Sequence, residues 1–185
     1  GGTLPDSIFD IVQVTKSLLP DVNLGIHCHN DTGVAVANSL AAIAAGVRQV
    51  QGTINGIGER CGNADLISLI PTLVLKSDYV TSVSEKNLPR LMGVSRLLDE
   101  RLGRTPNLHA PYVGAAAFAH KGGLHASAAQ KDPRTYEHIP PEKVGNEPQY
   151  LVSDQAGRSN MLARFAMLGI EIDATDKRID KLIRV

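Results

Sequence analysis

The segment His27-Cys28-His29-Asn30-Asp31 places two imidazoles two residues apart. On an extended strand such positions face one side with Cα atoms about 6.5–7 Å apart, so both rings can converge on one metal ion. The alternative is a pair of histidines hydrogen-bonded in a core or loop. Cys28, between them, points the other way and reads as a packed thiol. A second polar cluster, Asn55-Gly56-Ile57-Gly58-Glu59-Arg60-Cys61-Gly62-Asn63-Ala64-Asp65, has glycines that let the backbone fold tightly over a bound group. Glu59, Arg60, Asn63 and Asp65 supply charge and oxygen ligands there, and a flexible polar turn is the competing account. No Gly-Lys-Ser/Thr follows, so this is not a Walker A loop. Cys61 could face the site from the loop, but one thiol near a histidine pair does not establish a nucleophile. A third cluster, Ala119-His120-Lys121-Gly122-Gly123-Leu124-His125, offers histidines suited to moving protons near neutral pH. Tyr136, after Asp132-Pro133, could partner His125 or merely pack. Solvated loop residues are the alternative for this cluster, and His109 and His138 read as surface.

The first two clusters need a scaffold that brings them together. Pro5 suits a first helical turn, and Ile8, Ile11, Val12, Leu18 and Leu19 form an apolar stripe that stops at Pro20. Residues 23–29 read as a strand, followed by the capping types Asn30, Asp31 and Thr32 and an alanine-rich helix over 34–45 that Gly46 ends. A second strand over 47–54 leads into the glycine-rich loop. A helix over 66–75, bent at Pro71, comes next. Strands joined by crossover helices lie parallel, and the two histidines and the loop then fall at the C-terminal ends of neighbouring strands, where α/β folds place their sites. A parallel sheet needs both faces covered, and two strands cannot make one stable. The pattern therefore reads as part of a larger α/β protein, with the missing strands N-terminal.

Residues 84–185 show no convincing run of strands. Leu88, Leu91, Val94, Leu97, Leu98 and Leu102 recur at helical spacing over 87–103. Residues 104–125 form a Pro-, Gly-, Ala- and His-rich connection, and further helices are expected over 159–168, ended by Gly169, and over 175–183, capped by Thr175. Charge divides the chain as well: residues 1–83 carry four basic and seven acidic groups, net −3, and residues 84–185 carry fifteen and twelve, net +3. We expect an α/β portion over 1–83 and a mostly helical subdomain over 84–185.

Composition narrows the function. The chain has 185 residues, 43% hydrophobic and 21% charged, enough for a packed core and unlike a disordered or fibrous chain. Nineteen basic groups balance nineteen acidic ones, which argues against a polyanion binder, so neither nucleic acid nor membrane is an expected partner. No apolar run reaches the roughly 18 residues of a membrane span, the start GGTLPDSIFD is unlike a signal peptide, and two cysteines suit a reducing compartment. The expected location is cytoplasmic.

The stretch HCHNDTGVAVANSLAAIAAGVRQVQGTINGIGERCGNADL resembles the last two strands of the barrel in the 2-isopropylmalate, homocitrate and citramalate synthase family, the DRE-TIM metallolyases. The runs LLDERLGR, APYVGAAAFAHKGGLHASAAQKDPRTYEHIPPEKVGN and LVSDQAGRSN resemble the citramalate synthase branch, and Gly1-Gly2-Thr3-Leu4-Pro5 resembles the loop after strand six. The resemblance implies the C-terminal part of a (β/α)8 TIM barrel, its last two strands and their helices, followed by helical linker subdomains. It implies His27, His29 and Asn63 as ligands of a divalent metal, Mg, Mn or Zn, with an aspartate ligand and a catalytic glutamate lying in the missing strands. It implies His125 as the catalytic histidine and Tyr136 as its partner, both contributed across a homodimer interface. Lys121, Lys131 and Arg134 read as solvated surface, with CoA phosphates the alternative contact. Glu147-Pro148-Gln149 departs from the arginines that relatives often carry.

The implied reaction condenses acetyl-CoA with a 2-oxo acid, pyruvate giving citramalate, 2-oxoisovalerate giving isopropylmalate. An isolated fragment should be inactive. A lyase on the same metal scaffold is an enzymatic alternative, and a non-catalytic metal-binding or assembly module is the alternative of another class.

Overall fold

A computed structural model describes residues 1–120, 132, 137–150 and 158–183. The chain divides into two compact units, Gly1–Thr105 and Pro106–Val185.

The first unit opens with helix α1 (Pro5–Leu18), with Pro5 in its first turn. Its inward face is narrower than the apolar stripe suggests. Val12 is buried with Ala42, Ala45 and Val47, and Ile8 packs against that cluster. Ile11, Leu18 and Leu19 are exposed. The Lys16 ammonium donates to the Pro20 and Val22 carbonyls at 2.7 and 2.9 Å, closing the turn into strand β1 (Gly25–His27). Helix α2 (Ala35–Ala44) returns the chain to strand β2 (Gln49–Gln51), which pairs parallel with β1 in the register Ile26 to Val50 and His27 to Gln51. Alanine suits α2 because Ala35 and Ala42, both at zero exposure, let the helix backbone approach its neighbours closely.

Both strands are shorter than the sequence pattern predicts. Beyond His27 and Gln51 the chain stops pairing strand to strand, and the loop after β2 folds back between them. The Ala64 amide donates to the Cys28 carbonyl at 2.9 Å, Asn30 to Gly62 at 2.8 Å, and Thr53 to Ala64 at 3.0 Å. The loop thus continues the ladder that the strands begin. Within it, Ile54–Gly56 is a short 3-10 turn with Asn55 in the left-handed region (φ 58°).

Helix α3 (Leu66–Lys76) is capped by Asp65, whose carboxylate accepts the Ile67 amide at 2.9 Å and the Ser68 hydroxyl at 2.8 Å. It runs on past a buried Pro71. The helix expected over 87–103 is a 3-10 segment, Glu85–Arg90, containing Pro89, and then helix α4 (Leu91–Arg101). Its buried positions are Leu91, Ser95 and Asp99, while Val94, Leu97 and Leu102 are exposed. Of the two polar residues on the inward stripe, Ser95 faces inward for a reason that lies in the site loop, described below.

The second unit contains a parallel pair of two-residue strands, β3 (Ala119–His120) and β4 (Gln149–Tyr150), in a region read as lacking strands. They are too short to show an alternating pattern. Helix α5 (Arg158–Met167) closes at Leu168-Gly169 as expected. Helix α6 (Arg178–Ile183) starts three residues later than the expected Thr175 cap. Asp176 instead accepts the Arg178 amide at 2.8 Å, while Thr175 donates amide and hydroxyl to Asp173. Arg158 ties the two helices together through Asp180 and the carbonyls of Ala174 and Asp176. Among the described residues no helix is long and apolar enough to cross a membrane.

Candidate active site

The two strands of the first unit end in polar residues side by side. His27, at the end of β1, is exposed; His29, half-buried, lies just beyond it, and their ring centroids are 5.1 Å apart with the planes nearly perpendicular. Cys28 between them turns into a small core with Ala35 and Ala64, as strand alternation requires. Burial pushes its thiol pKa up, against a hydrogen bond with Ser39. It is a packed thiol.

Asn63 comes to His29 through the loop after β2, and the two residues form an antiparallel β-bridge. Asn63 is 9% exposed. Its side-chain NH2 donates to the Ile57 carbonyl at 3.1 Å, which fixes the orientation of the amide and leaves Oδ1 as the free lone-pair atom. A methyl group built on Gly58 would collide with this carboxamide, so a side chain there would push Asn63 out of this orientation. Asn63 Oδ1 and His29 Nδ1 are both buried and have no hydrogen-bond partner among the described residues. Buried acceptors without partners are unfavourable by about 1–3 kcal/mol each. Two of them on bridged residues, beside a second imidazole, form a nitrogen and oxygen donor set that fits a divalent cation. Among the described residues no three His, Cys, Asp or Glu side chains gather at one point, so such a site depends on the carboxamide.

The remaining loop residues have other tasks. Asn30 accepts the Ala35 amide at 3.0 Å and so orients the entry to α2. Asp65, read from sequence as an oxygen ligand, caps α3; burial is the main influence on its carboxyl and pushes its pKa up. Asp31 and Arg60 form a two-point ion pair, with Nε to Oδ1 at 3.2 Å and Nη2 to Oδ2 at 3.1 Å. The guanidinium hydrogen bond holds the Asp31 carboxyl below the usual carboxylate range. Glu59 is largely exposed, 3.6 Å from Arg60, and Cys61 is an exposed free thiol.

One positioning pair escaped the sequence reading. The Ser95 hydroxyl donates to Asn55 Oδ1 at 2.7 Å, and the Asn55 amide donates to the Ser95 carbonyl at 3.0 Å. This explains the inward position of Ser95 on α4, which holds the start of the site loop. The partners lie 40 residues apart, with no local signal to connect them.

His125 and Tyr136 lie outside the described residues, as do Lys121, Lys131 and Arg134. His138, read as surface, stacks on Phe118 (ring centroids 6.0 Å) and meets Tyr112 edge-on at 5.2 Å. Asn146 is buried and donates to the Tyr112 and Gly114 carbonyls at 3.0 and 2.9 Å, fixing the loop that leads into β3.

Residues 1–98 match the HMGL-like family model, and residues 112–184 match the model for the homocitrate synthase post-HMGL domain-like family. The chain belongs to the HMGL-like family. It is 51% identical over 183 residues to an (R)-citramalate synthase of Aquifex aeolicus, covering 99% of this chain and 34% of that protein. With an (R)-citramalate synthase of Synechocystis it shares 54% over 180 residues, covering 94% and 33%. A probable 2-isopropylmalate synthase of Methanopyrus kandleri is 41% identical over 164 residues, covering 89% and 32%. This HMGL-like chain spans about a third of the length of those curated relatives. Among solved structures, an HMG-CoA lyase from Acenitobacter baumannii, in complex with coenzyme A and 3-methylmalate, superposes with TM-score 0.50 and 29% identity, over 60% of this chain and 37% of that one. The family expected from the sequence motifs is the one the comparisons show.

Proposed function

We propose that this chain contributes the closing strands of a TIM barrel, with a divalent-metal site, to an acyltransferase that condenses acetyl-CoA with a 2-oxo acid. Pyruvate, giving citramalate, is the proposed oxo acid, supported by the 51% and 54% identity with (R)-citramalate synthases. The observation that carries the site is that His29 and Asn63, bridged through their backbones, each hold a buried side-chain atom, Nδ1 and Oδ1, without a partner among the described residues. His27, His29 and Asn63 would hold the ion, Mg, Mn or Zn. When bound, such an ion supplies Lewis-acid polarisation of a ketone.

The chain's own residues divide the rest of the work. His125 takes a proton from the acetyl methyl carbon through an imidazole nitrogen, and Tyr136 orients that ring. The methylene carbon so generated adds to the ketone carbon of the oxo acid, whose C=O π pair moves onto the oxygen and takes up a proton to give the tertiary alcohol. Hydrolysis of the thioester then releases CoA and makes the condensation irreversible. Gly58 and the Ile57 carbonyl keep the Asn63 carboxamide in one orientation, and Asp65 and Asn55 fix the two ends of its loop. In this reading the active site is completed across a homodimer.

The test fuses this chain behind the N-terminal barrel segment of a citramalate synthase and follows thiol release with pyruvate, 2-oxoisovalerate and 2-oxoglutarate. Turnover with pyruvate, lost in His125→Ala while metal binding persists, is the expected result. Unchanged turnover in His125→Ala rejects the catalytic assignment. Preference for 2-oxoisovalerate would move the reading to the isopropylmalate branch, which the 41% relative represents.

A further inference from the structure

We propose that Asp31 and Arg60 are positioning residues whose ion pair clamps the loop after β2 onto the loop after β1 and keeps Asn63 in register with His29. The inference rests on the reading of His27, His29 and Asn63 as ligands and adds what holds the third in place. The loops meet through few bonds near the site: Asn30 to Gly62, Ala64 to Cys28, and the His29–Asn63 bridge between them. Residues 58–61, at the loop tip, are exposed, so no apolar packing among the described residues anchors them. What crosses the gap at the tip is the guanidinium fork on both Asp31 oxygens.

The backbone at Arg60 strengthens the case. Its φ is 57°, a left-handed conformation that glycine adopts freely and arginine does not. A turn selected for shape alone would carry glycine at this position, as it does at Gly62 (φ 88°). The arginine bears the strain and in return reaches Asp31, 29 residues away, with a planar two-point contact that lysine cannot reproduce. Strained residues held by their surroundings cluster at functional sites. Arg60 and Asp31 are also substantially exposed, and exposed ion pairs add little to global stability. Their effect is therefore local, on two short loops that carry His29 and Asn63.

Arg60→Gly removes the fork and relieves the backbone at once; Asp31→Asn removes the charge. The 185-residue chain and both variants are compared by three readouts: NMR amide hydrogen exchange, Co2+ affinity from visible absorption, and melting temperature. Exchange at the Asn30, Asn63 and Ala64 amides should quicken severalfold in both variants, while in Asp31→Asn, which leaves the backbone unchanged, the Val12 and Ala42 amides and the melting temperature stay at wild-type values. The Co2+ dissociation constant should rise about ten-fold or more, the effect typical of losing an outer partner of a metal ligand. Arg60→Lys, which keeps charge without the fork, should recover part of the affinity. Wild-type exchange at those three amides in Arg60→Gly overturns the clamp, and so does faster exchange spread evenly over the unit. A wild-type chain that binds no Co2+ would overturn the ligand reading instead, and the exchange measurement still decides the clamp without metal.

Discussion

Gly62→Ala measures how tightly the site loop is built. Gly62 has φ 88°, and giving an L side chain a left-handed backbone costs about 1–2 kcal/mol. A Cβ there would also collide with the Gly56 carbonyl oxygen, the acceptor of the Asn63 amide at 2.9 Å. The loop must open to admit the methyl and forfeits that hydrogen bond, a further loss of about 0.5–1.5 kcal/mol. The total is about 1.5–3.5 kcal/mol. Gly33→Ala is the control within the same unit, because its φ is 76° but nothing lies within 4 Å of the added Cβ. It should lose only the conformational part, about 1–2 kcal/mol. Urea unfolding followed by circular dichroism, with linear extrapolation at a common slope, separates the two. Equal destabilisation by Gly62→Ala and Gly33→Ala would refute the claim that the Gly56–Asn63 contact fixes the loop.

Two further outcomes follow from the helix caps. Asp65→Ala should destabilise the first unit by about 0.5–2 kcal/mol through loss of the cap on α3, whereas Asp65→Asn, which caps as well and carries no buried charge, should stay near wild type in the same unfolding assay; equal losses would show that Asp65 is needed as a carboxylate. In the second unit, the Arg178 side chain and amide lower the Asp176 pKa to about 2, so this pair's stabilisation is present above the ordinary carboxylate pKa and is lost as pH falls through about 2. Carboxyl 13C titration should show Asp176 rising toward about 3.9 in Arg178→Gln, and an unchanged midpoint would contradict the assignment.

The order of helices and strands in the first unit is legible in the sequence because apolar spacing and capping types are local. What is not legible depends on partners distant in the chain. Residues 28, 29 and 53 look like strand ends but pair with the returning residues 63 and 64, so each strand appears longer in sequence than in the fold. Leucine spacing marks α4 as helical, yet Ser95 faces inward because Asn55 needs a partner, and Val94 and Leu97 face out. The His27, His29 and Asn63 group was visible as residue types at neighbouring strand ends. The fork of Arg60 on Asp31 was not, since neither residue's neighbours signal the other.

The central claim is that His27, His29 and Asn63 share one cation. Long-range 15N spectra of the histidine rings during Zn2+ addition test it directly, with His109 and His138 as internal controls. The His27 and His29 ring nitrogens should shift together at one Zn2+ concentration, the controls should stay still, and Asn63→Ala should weaken the joint response. If His27 and His29 respond independently, or no more than His109 does, the three residues do not form a common site.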